Sequence, residues 1–310
     1  MYIVTPITME TLWGDERLHA YQGDPSSKTI GCVYTVSGIE SINCGIQNDL
    51  GKTTLMEAVN QNPAAFGLLA GEEYPLIIAF DSCAQDVSFQ IHPTDAYAKE
   101  QLHLPYGKSE AWYFIEKPTH GWVYGENVTG CKKAVEEALQ KKDFHDVMGH
   151  IPVENEDIVY IRCGTMHALT KGSLIYEIQQ STNITYRLYD YERKDKYGHT
   201  RPIHTKEALE NLDSSLKVEK QRLSIGASFD QREFSLQHIQ LSNSYTNTHS
   251  LAAAISVVSG NLIIEGTTIS MGGSVLVMPK ETIQIEGSAE CIIATPHAYW
   301  RTSKTTPQSQ

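Results

Sequence analysis

Four side chains in the middle of the chain have the types and spacing of a mixed nitrogen and oxygen metal site. Gln90 and His92 lie two residues apart in the run SFQIHP, so on a β-strand they would point to the same face. Glu110, in GKSEAWY, adds a carboxylate, and His167, in GTMHA, adds a second imidazole. Two imidazoles, a carboxylate and an amide oxygen are a ligand set that suits zinc and leaves room for water or substrate. The pattern predicts a catalytic metal site rather than a structural one.

Gln90 and His92 alone are also compatible with a polar pair on a surface strand. The carboxylate and the second imidazole farther along the chain favour the metal site over that alternative. Several other histidines have no ligand-like neighbours in the sequence, and we expect them to be exposed or locally hydrogen-bonded: His103, His120, His145, His150, His199 and His204.

The composition narrows the partners that the protein can have. With 310 residues, 41% hydrophobic and 20% charged, the chain is long enough for one large domain or two small ones. The formal charge of −12 argues against nucleic acid or an anionic membrane as the main partner. An anionic small substrate is compatible with this charge if a few local lysine and arginine residues meet it.

The cysteines and the N-terminus indicate the compartment. The six cysteines include no CxxC pair, and in a chain of this length they are better interpreted as reduced, mostly buried thiols than as disulfides. The first residues, MYIVTPITME, lack the basic and apolar regions of a signal peptide, and no apolar run approaches the roughly 20 residues of a membrane helix. We therefore expect a cytoplasmic protein.

Most of the chain has the pattern of short strands, since segments rich in Val, Ile, Tyr and Phe are bounded by Gly, Pro, Asn and Asp. In the first two thirds these segments are 75–80, 87–91, 111–115, 158–161 and 174–178. Two helices are expected among them. One covers 53–66, where Pro63 must end or kink it, and the other covers 132–148, where apolar residues recur near helical spacing.

A charged, Ser-rich stretch, 214–222, separates this part from an almost purely β region. The strands expected there are 234–241, 251–258, 262–265, 274–278 and 291–294, with turns at Gly260-Asn261, Gly266, Gly272-Gly273 and Gly287. A weak repeat relates 156–167 to 273–284. These features predict a metal-binding domain over 1–213, a metal-free β domain over 223–303 and a flexible tail over 304–310.

Five or more motifs in order resemble those of type I mannose-6-phosphate isomerases (phosphomannose isomerases), in the short bacterial form. They are Leu12-Trp13-Gly14, Gln90-x-His92-Pro93, Gly107-Lys108-Ser109-Glu110-x-Trp112-Tyr113, Gly164-Thr165-Met166-His167-Ala168, Glu177-Ile178-Gln179-Gln180-Ser181 and Thr185-Tyr186-Arg187-Leu188-Tyr189-Asp190-Tyr191. The resemblance implies a mainly β fold, with two cupin (jelly-roll) β-barrels and a small helical insertion.

The resemblance also implies roles for individual residues. The ligands of one zinc ion per chain would be Gln90, His92, Glu110 and His167, and the active-site arginine would be Arg187. Lys108 would line the same pocket, and Glu177 would be the candidate for proton transfer. Plainer interpretations stay open here: Arg187 paired with Asp190 or Glu192, Lys108 as a solvated loop lysine, and Glu177 as a structural hydrogen-bonding partner.

The activity that the resemblance implies is the interconversion of mannose 6-phosphate and fructose 6-phosphate, by proton transfer through an enediol. A sugar phosphate would be the partner, and the sequence specifies neither the phosphate-binding residues nor the oligomeric state. Departures from the family pattern at Cys32, Ala79 and Asn183 favour, as an alternative, a diverged paralogue with another sugar or little catalysis. An iron-dependent cupin oxygenase is disfavoured, because Gln90 replaces the first histidine usual there and Glu110 lies far downstream.

Overall fold

The protein is described here by a computed structural model that covers the backbone of residues 1–304. The described chain is mainly β, which confirms the predicted fold class. Of the tail predicted over 304–310, residues 305–310 lie outside the described residues. Among the described residues, no helix is both long enough and apolar enough to cross a membrane.

The strands of the described chain are short in its first two thirds and longer near its end. In chain order they are β1 (Tyr2–Thr5), β2 (Ile7–Asp15), β3 (Ile30–Val36), β4 (Gly45–Asn48), β5 (Gly51–Thr54), β6 (Leu76–Ser82), β7 (Phe89–Ile91), β8 (Glu110–Glu116), β9 (Trp122–Asn127), β10 (Met148–Pro152), β11 (Asp157–Ile161), β12 (His167–Ala168), β13 (Leu174–Gln180), β14 (Tyr186–Tyr189), β15 (Glu219–Arg222), β16 (Ser228–Asp230), β17 (Phe234–Thr246), β18 (Ala253–Ile264), β19 (Thr267–Ser270), β20 (Ser274–Val277) and β21 (Thr282–Pro296). The α-helices are α1 (Leu55–Gln61), α2 (Asp95–Gln101), α3 (Lys132–Lys141) and α4 (Thr205–Asn211), and short 3-10 helices cover Arg17–Tyr21, Glu40–Ile42, Pro63–Phe66 and Tyr299–Lys304.

The described residues form two compact units. The first, called the site unit below, comprises 6–35 and 77–224. The second unit comprises 1–5, 36–76 and the described residues from 225 onward. The domain bounds expected from the sequence, 1–213 and 223–303, stay a prediction. The compact unit that contains the C-terminal strands also includes two segments from the first quarter of the chain.

The site unit contains two sheets. One follows the order β15-β11-β8-β13-β6-β3-β2, and the other follows β10-β9-β12-β7-β14. The second of these sheets packs against α3 and α4 through a buried apolar cluster that includes Phe89, Ile91, Val135, Leu188 and Ala208. Burial of this apolar face fixes β7, β12 and β14 side by side.

The second unit contains one large sheet. Its strands follow the order β16-β17-β21-β18-β20-β1-β4-β5, with β19 paired to β18. Alternate residues of the long strands, among them Ile255, Val257, Ile285 and Ile293, form a buried aliphatic cluster. This core is apolar throughout, as expected of a sheet that buries one face.

Both predicted helices differ from the structure in extent. In place of one helix over 53–66, α1 ends at Gln61 and Pro63 begins a separate 3-10 helix, because proline has no N–H to continue the ladder. The helix predicted over 132–148 ends earlier, at Lys141, where Lys142 adopts a left-handed conformation. Met148 instead begins the strand β10.

Two predicted turns are wrong. Gly287 lies within the single strand β21 rather than between strands. Gly260-Asn261 was expected to separate two strands, but β18 runs through both as a single strand. The pairing of β18 with β21 shifts in register between Val257 and Ser259, and Gly260 has a φ of 84°. Glycine therefore allows the strand to continue through an irregularity here, rather than ending it.

Candidate active site

The predicted metal ligands come from both sheets of the site unit. Gln90 lies on β7 directly opposite His167 on β12, and His92 follows β7 immediately. Glu110 begins β8 in the other sheet. The structure thus brings His92, Glu110 and His167 into one buried cluster, whose candidate ligand atoms lie within 4.8 Å of one another.

The two histidines are oriented by hydrogen bonds on the side away from the cluster. His92 Nδ1 donates to the carbonyl oxygen of Ile184 at 2.9 Å, and His167 Nδ1 donates to that of Thr165 at 2.8 Å. Each Nε2 therefore carries a lone pair. Burial lowers the pKa of His167 to about 4 and also lowers the pKa of His92, so both rings are neutral at neutral pH.

The lone-pair nitrogens face a carboxylate. His92 Nε2 lies 2.9 Å from Glu110 Oε2, and His167 Nε2 lies 3.3 Å from Glu110 Oε1. Neither oxygen of Glu110 accepts a hydrogen bond, although the side chain is fully buried. Burial opposes its ionisation, but the interactions with His92, Lys108 and His167 outweigh burial and hold the pKa of Glu110 well below its usual range.

Burial of the Glu110 carboxylate against two imidazole lone pairs costs free energy unless a metal cation binds between the three side chains. A buried carboxylate without hydrogen bonds loses several kcal/mol of hydration, which Lys108, 3.3 Å from Glu110 Oε2, offsets only in part. Three donor atoms with lone pairs converge on one point, and both histidines make the backbone hydrogen bond typical of metal-bound imidazoles. His92, Glu110 and His167 could therefore bind a metal ion.

Gln90 lies beside this cluster. Its Nε2 is 3.3 Å from Nε2 of His167. The two ends of an amide group exchange by rotation of the side-chain amide, which would turn Oε1 toward the same point. The role of Gln90 as a fourth ligand stays a prediction.

Lys108 is not a solvated loop lysine. Only 6% of the residue is exposed, and Nζ lies 3.3 Å from both Glu110 Oε2 and His92 Nε2. A buried ammonium at this distance offsets part of the negative charge of Glu110. Lys108 also lines the cavity described below.

Arg187 is a cation without an ionic partner. It lies on β14 opposite Gln90, and among the described residues no carboxylate reaches its guanidinium, while its buried Nε has no hydrogen-bond partner. Asp190, which the sequence offered as a partner, pairs instead with Arg193 and Arg201. Burial and the nearby charge of Arg201 lower the pKa of Arg187. An uncompensated, partly buried arginine of this kind favours an anionic ligand.

His204, which was not predicted to be a site residue, is hydrogen-bonded to the backbone of Arg187. The backbone N–H of Arg187 donates to Nδ1 of His204 at 3.2 Å. The proton of His204 therefore lies on Nε2, and His204 lines the same cavity as Arg187. It is locally hydrogen-bonded, as expected, but it also presents a donor.

Glu177 is held by two donors. Trp112 Nε1 donates to Oε1 at 2.9 Å, and Gln179 Nε2 donates to Oε2. Burial and the charges of Asp81 and Glu110 raise the pKa of Glu177 well above its usual range. The sequence did not select Asp81, which lies beside Glu177. A lone acid in the apolar run PLIIAFDS was the available indication.

A cavity of about 540 Å³ connects these groups within the site unit. Gln90, Lys108, Glu177 and Arg187 all line it. Its volume suits a small molecule rather than a polymer. The predicted roles of these residues stay predictions, but the structure places them around one cavity beside the candidate metal cluster.

Comparison with known proteins gives consistent relatives, although no family model matches the chain. It is 32% identical over 210 residues to mannose-6-phosphate isomerase ManA of Bacillus subtilis, which covers 67% of this chain and 66% of that protein. It is 34% identical over 209 residues to the probable mannose-6-phosphate isomerase GmuF of the same organism, with 66% of each covered. The matched part therefore spans about two thirds of these relatives.

The fold has relatives among solved structures over nearly its whole length. The crystal structure of mannose 6-phosphate isomerase from Bacillus subtilis superposes with a TM-score of 0.81 at 22% identity, over 95% of this chain and 99% of that one. A putative mannosephosphate isomerase from Archaeoglobus fulgidus gives 0.76 at 17% identity, over 96% and 98%. The chain therefore has the fold of these proteins.

Proposed function

We propose that this chain, which belongs to the mannose-6-phosphate isomerase family, is a zinc-dependent aldose–ketose isomerase acting on mannose 6-phosphate and fructose 6-phosphate. The proposal depends on one observation above all. The buried cluster of His92, Glu110 and His167 directs two lone-pair nitrogens and an unsolvated carboxylate at one point, beside a cavity lined by acidic and basic groups. The names of the relatives indicate the substrate, and the cluster indicates the chemistry.

Zinc fits the donor set better than a harder cation, because two imidazoles with one carboxylate suit zinc whereas magnesium and calcium prefer oxygen ligands. His92, Glu110 and His167 would hold one ion per chain, and Gln90 would join them after rotation of its amide. When bound, zinc acts as a Lewis acid on the sugar oxygens and stabilises the negative charge that develops as the C–H bond breaks. Only one of the proposed ligands is charged, so the ion stays electrophilic.

Arg187 and Lys108 bind the anionic substrate in this proposal. Arg187 has no carboxylate partner among the described residues, and Lys108 lies buried beside the cluster, so the cavity is locally basic in a protein of net charge −12. Their charges favour entry of a sugar phosphate and stabilise the oxyanion of the enediolate. Arginine stays protonated at neutral pH and therefore cannot act as the base. Its role in this proposal is to bind the substrate and to stabilise the enediolate.

Glu177 carries the proton. Its carboxylate removes the proton from the hydroxyl-bearing carbon next to the carbonyl, the electron pair of the C–H bond forms the carbon–carbon double bond, and the carbonyl π electrons move onto the carbonyl oxygen. The proton of the neighbouring hydroxyl passes to that oxygen, the carbonyl re-forms at the hydroxyl carbon, and Glu177 delivers its proton to the former carbonyl carbon. The fixed donors Trp112 and Gln179 orient the group. Burial, which raises the pKa of Glu177, makes it a stronger base than an exposed glutamate.

The proposed partner is a small sugar phosphate, and the cytoplasm is the proposed location of the protein.

A coupled assay with mannose 6-phosphate tests the proposal, run on the purified protein before chelation, after chelation and after addition of zinc. We expect activity to be lost with the chelator and restored by zinc. A folded, zinc-loaded protein without isomerase activity would contradict the proposal and would favour a paralogue with another sugar or no chemistry.

A further inference from the structure

A row of ionisable side chains crosses the seven-stranded sheet of the site unit. Glu177 on β13, Asp81 on β6 and Cys32 on β3 lie on three strands that are consecutive in the sheet order. All three line the same cavity. None of them belongs to the candidate metal cluster, and the function proposed above uses only Glu177.

The two carboxyl groups of this row are hydrogen-bonded to each other. Asp81 makes side-chain hydrogen bonds to Glu177 and to Cys32, while its Oδ1 has no partner among the described residues. Two carboxyl groups can share a hydrogen bond only if one carries a proton, because an ionised carboxylate has no donor. The thiol of Cys32 is a second donor toward Asp81.

The surroundings favour a shared proton. Trp112 and Gln179 already donate to Glu177, and tryptophan has no other role than donor. These donors stabilise the ionised form of Glu177, in which the proton lies on Asp81, whereas burial and the charges of Asp81 and Glu110 raise the pKa of Glu177 and favour the proton on Glu177. Two buried carboxylates in contact would repel each other strongly, so the pair holds one proton rather than none.

The charged and titratable groups around the pair act in both directions. Burial raises the pKa of Asp81 to about 7, with Glu110 acting in the same direction and Lys108 opposing it. Cys32 and Tyr34 face the pair from β3, and burial raises the pKa of both well above their usual ranges, so they are neutral. Lys108 lowers the pKa of both Asp81 and Glu177, and its Nζ lies 3.3 Å from Glu110 Oε2.

The two carboxyl groups differ in access. Asp81 is only 4% exposed, whereas Glu177 is partly accessible from the cavity. A substrate in the cavity would meet Glu177, and Asp81 would act on the substrate only through it.

We propose that Asp81 is a positioning residue for proton transfer by Glu177, and that the two carboxyl groups hold a single proton between them at neutral pH. The proposal rests on the function proposed above for its kinetic consequence, but not for the shared proton itself. In the state in which Asp81 holds the shared proton, Asp81 donates its O–H to the ionised Glu177, and Glu177 can receive the proton from the substrate carbon. No further reactant is required, since the proton returns to the neighbouring carbon.

Infrared spectroscopy tests the shared proton without any assay of activity. The C=O stretching band of a protonated carboxylic acid is followed against pH in the metal-loaded wild type, in Asp81→Asn and in Glu177→Gln. In the wild type the band should persist through neutral pH, because losing the proton leaves two carboxylates in contact. Each variant has one carboxyl group fewer, so its remaining band should vanish at least about one pH unit lower. Two variants are used so that a folding defect in one leaves the comparison intact.

Asp157→Asn is the matched control, because Asp157 is a buried acid on β11 of the same sheet but is paired with Lys220 at 3.3 Å. Its band should follow the wild type. A wild type without a protonated carboxyl band at neutral pH, or two variants that titrate as the wild type does, would overturn the shared proton.

The kinetic part of the proposal is tested by isomerase measurements on Asp81→Asn with its metal content determined. We expect kcat to fall about tenfold, part of the 10²–10⁴ that general acid–base catalysis contributes, with KM within about twofold and the metal retained. An unchanged kcat would overturn the positioning role. If the wild type has no isomerase activity, the proposed function fails, and the infrared titration still decides whether the proton is shared.

Discussion

Each unit of the protein buries a histidine beside a glutamate, and the two sites differ in the exposure of the glutamate to water. In the second unit, His238 Nε2 lies 2.8 Å from Glu290 Oε1, and the Glu290 side chain is 27% exposed. In the site unit, His92 and His167 face Glu110 with every side chain at most 1% exposed. A carboxylate that reaches water needs no further partner, whereas Glu110, buried among lone-pair nitrogens with Lys108 as the neighbouring cation, would still be stabilised by a metal ion. The comparison predicts metal and activity in one place only.

The substitution with the largest expected effect is Glu110→Gln. Removal of the only charged ligand should lower metal affinity by more than the 10- to 100-fold that loss of an outer-shell partner causes, and activity should fall with it. Zinc content by elemental analysis and the isomerase assay measure both. Glu290→Gln in the second unit is the matched control, and it should keep its zinc and its activity. Equal zinc content in the two variants would remove the distinction between the pairs.

Glu177→Gln should separate catalysis from metal binding within the site unit. It removes the proposed proton carrier but none of the candidate ligands, so kcat should fall by about 10²–10⁴ while zinc content stays at the wild-type level. Exchange of the substrate C2 deuterium with solvent measures the proton step directly. Exchange at the wild-type rate would exclude Glu177 as the carrier.

Arg187→Ala should weaken substrate binding. A hydrogen bond to a charged group contributes about 1.5–3 kcal/mol, so kcat/KM should fall about 10- to 100-fold. Arg222→Ala is the matched control, because Arg222 lies in the same unit but forms an exposed pair with Glu156. Steady-state kinetics of the two variants check this prediction, and similar values for both would indicate that Arg187 does not touch the substrate.

The smallest expected effect concerns the second unit alone. Burial opposes ionisation of Glu72, but Arg301, the backbone N–H of Leu69 and Trp300 lower its pKa to about 2. Because the folded pKa lies below the unfolded value, this stabilisation is present above about pH 4.3 and is lost as the pH falls toward 2. Glu72→Gln should therefore lower Tm slightly at pH 7 and reduce its dependence on pH below about 4.3, with unchanged kcat. Thermal unfolding at several pH values measures this. A large loss of activity would mean that the second unit contributes to catalysis.

The sequence predicts that His92, Glu110 and His167 come together, as the structure shows, because their residue types and motifs together suit a metal site, and their role as metal ligands stays a prediction. The state of Arg187 could not be predicted, since it depends on whether Asp190 pairs with Arg187 or, as found, with Arg193 and Arg201. Asp81 was missed because a single acid after an apolar run is equally compatible with an exposed residue at the end of a strand and with a buried residue in a site. Its partner Glu177 is nearly one hundred positions away in the chain.

The elements show the same limits. Fully buried apolar strands such as β6 and β11 were predicted, whereas β9, which buries alternate residues, was not. Gly260 was wrongly interpreted as a turn, because a glycine inside an irregular strand and a glycine in a hairpin have the same local sequence. The end of α3 at Lys141 was predicted too late because Val147 and Met148 continue the apolar spacing of the helix. Both are buried in the core, but Met148 belongs to the strand β10. Tertiary packing decides between these, and spacing alone does not.

Titration of metal-free protein with zinc, with binding stoichiometry and isomerase activity followed in the same samples, tests the central claim most directly. We predict that both curves reach their plateau together at one zinc per chain, and that Glu110→Gln shows neither. Full isomerase activity in the metal-free protein, or saturation with zinc at the cluster without any isomerase activity, would contradict the account.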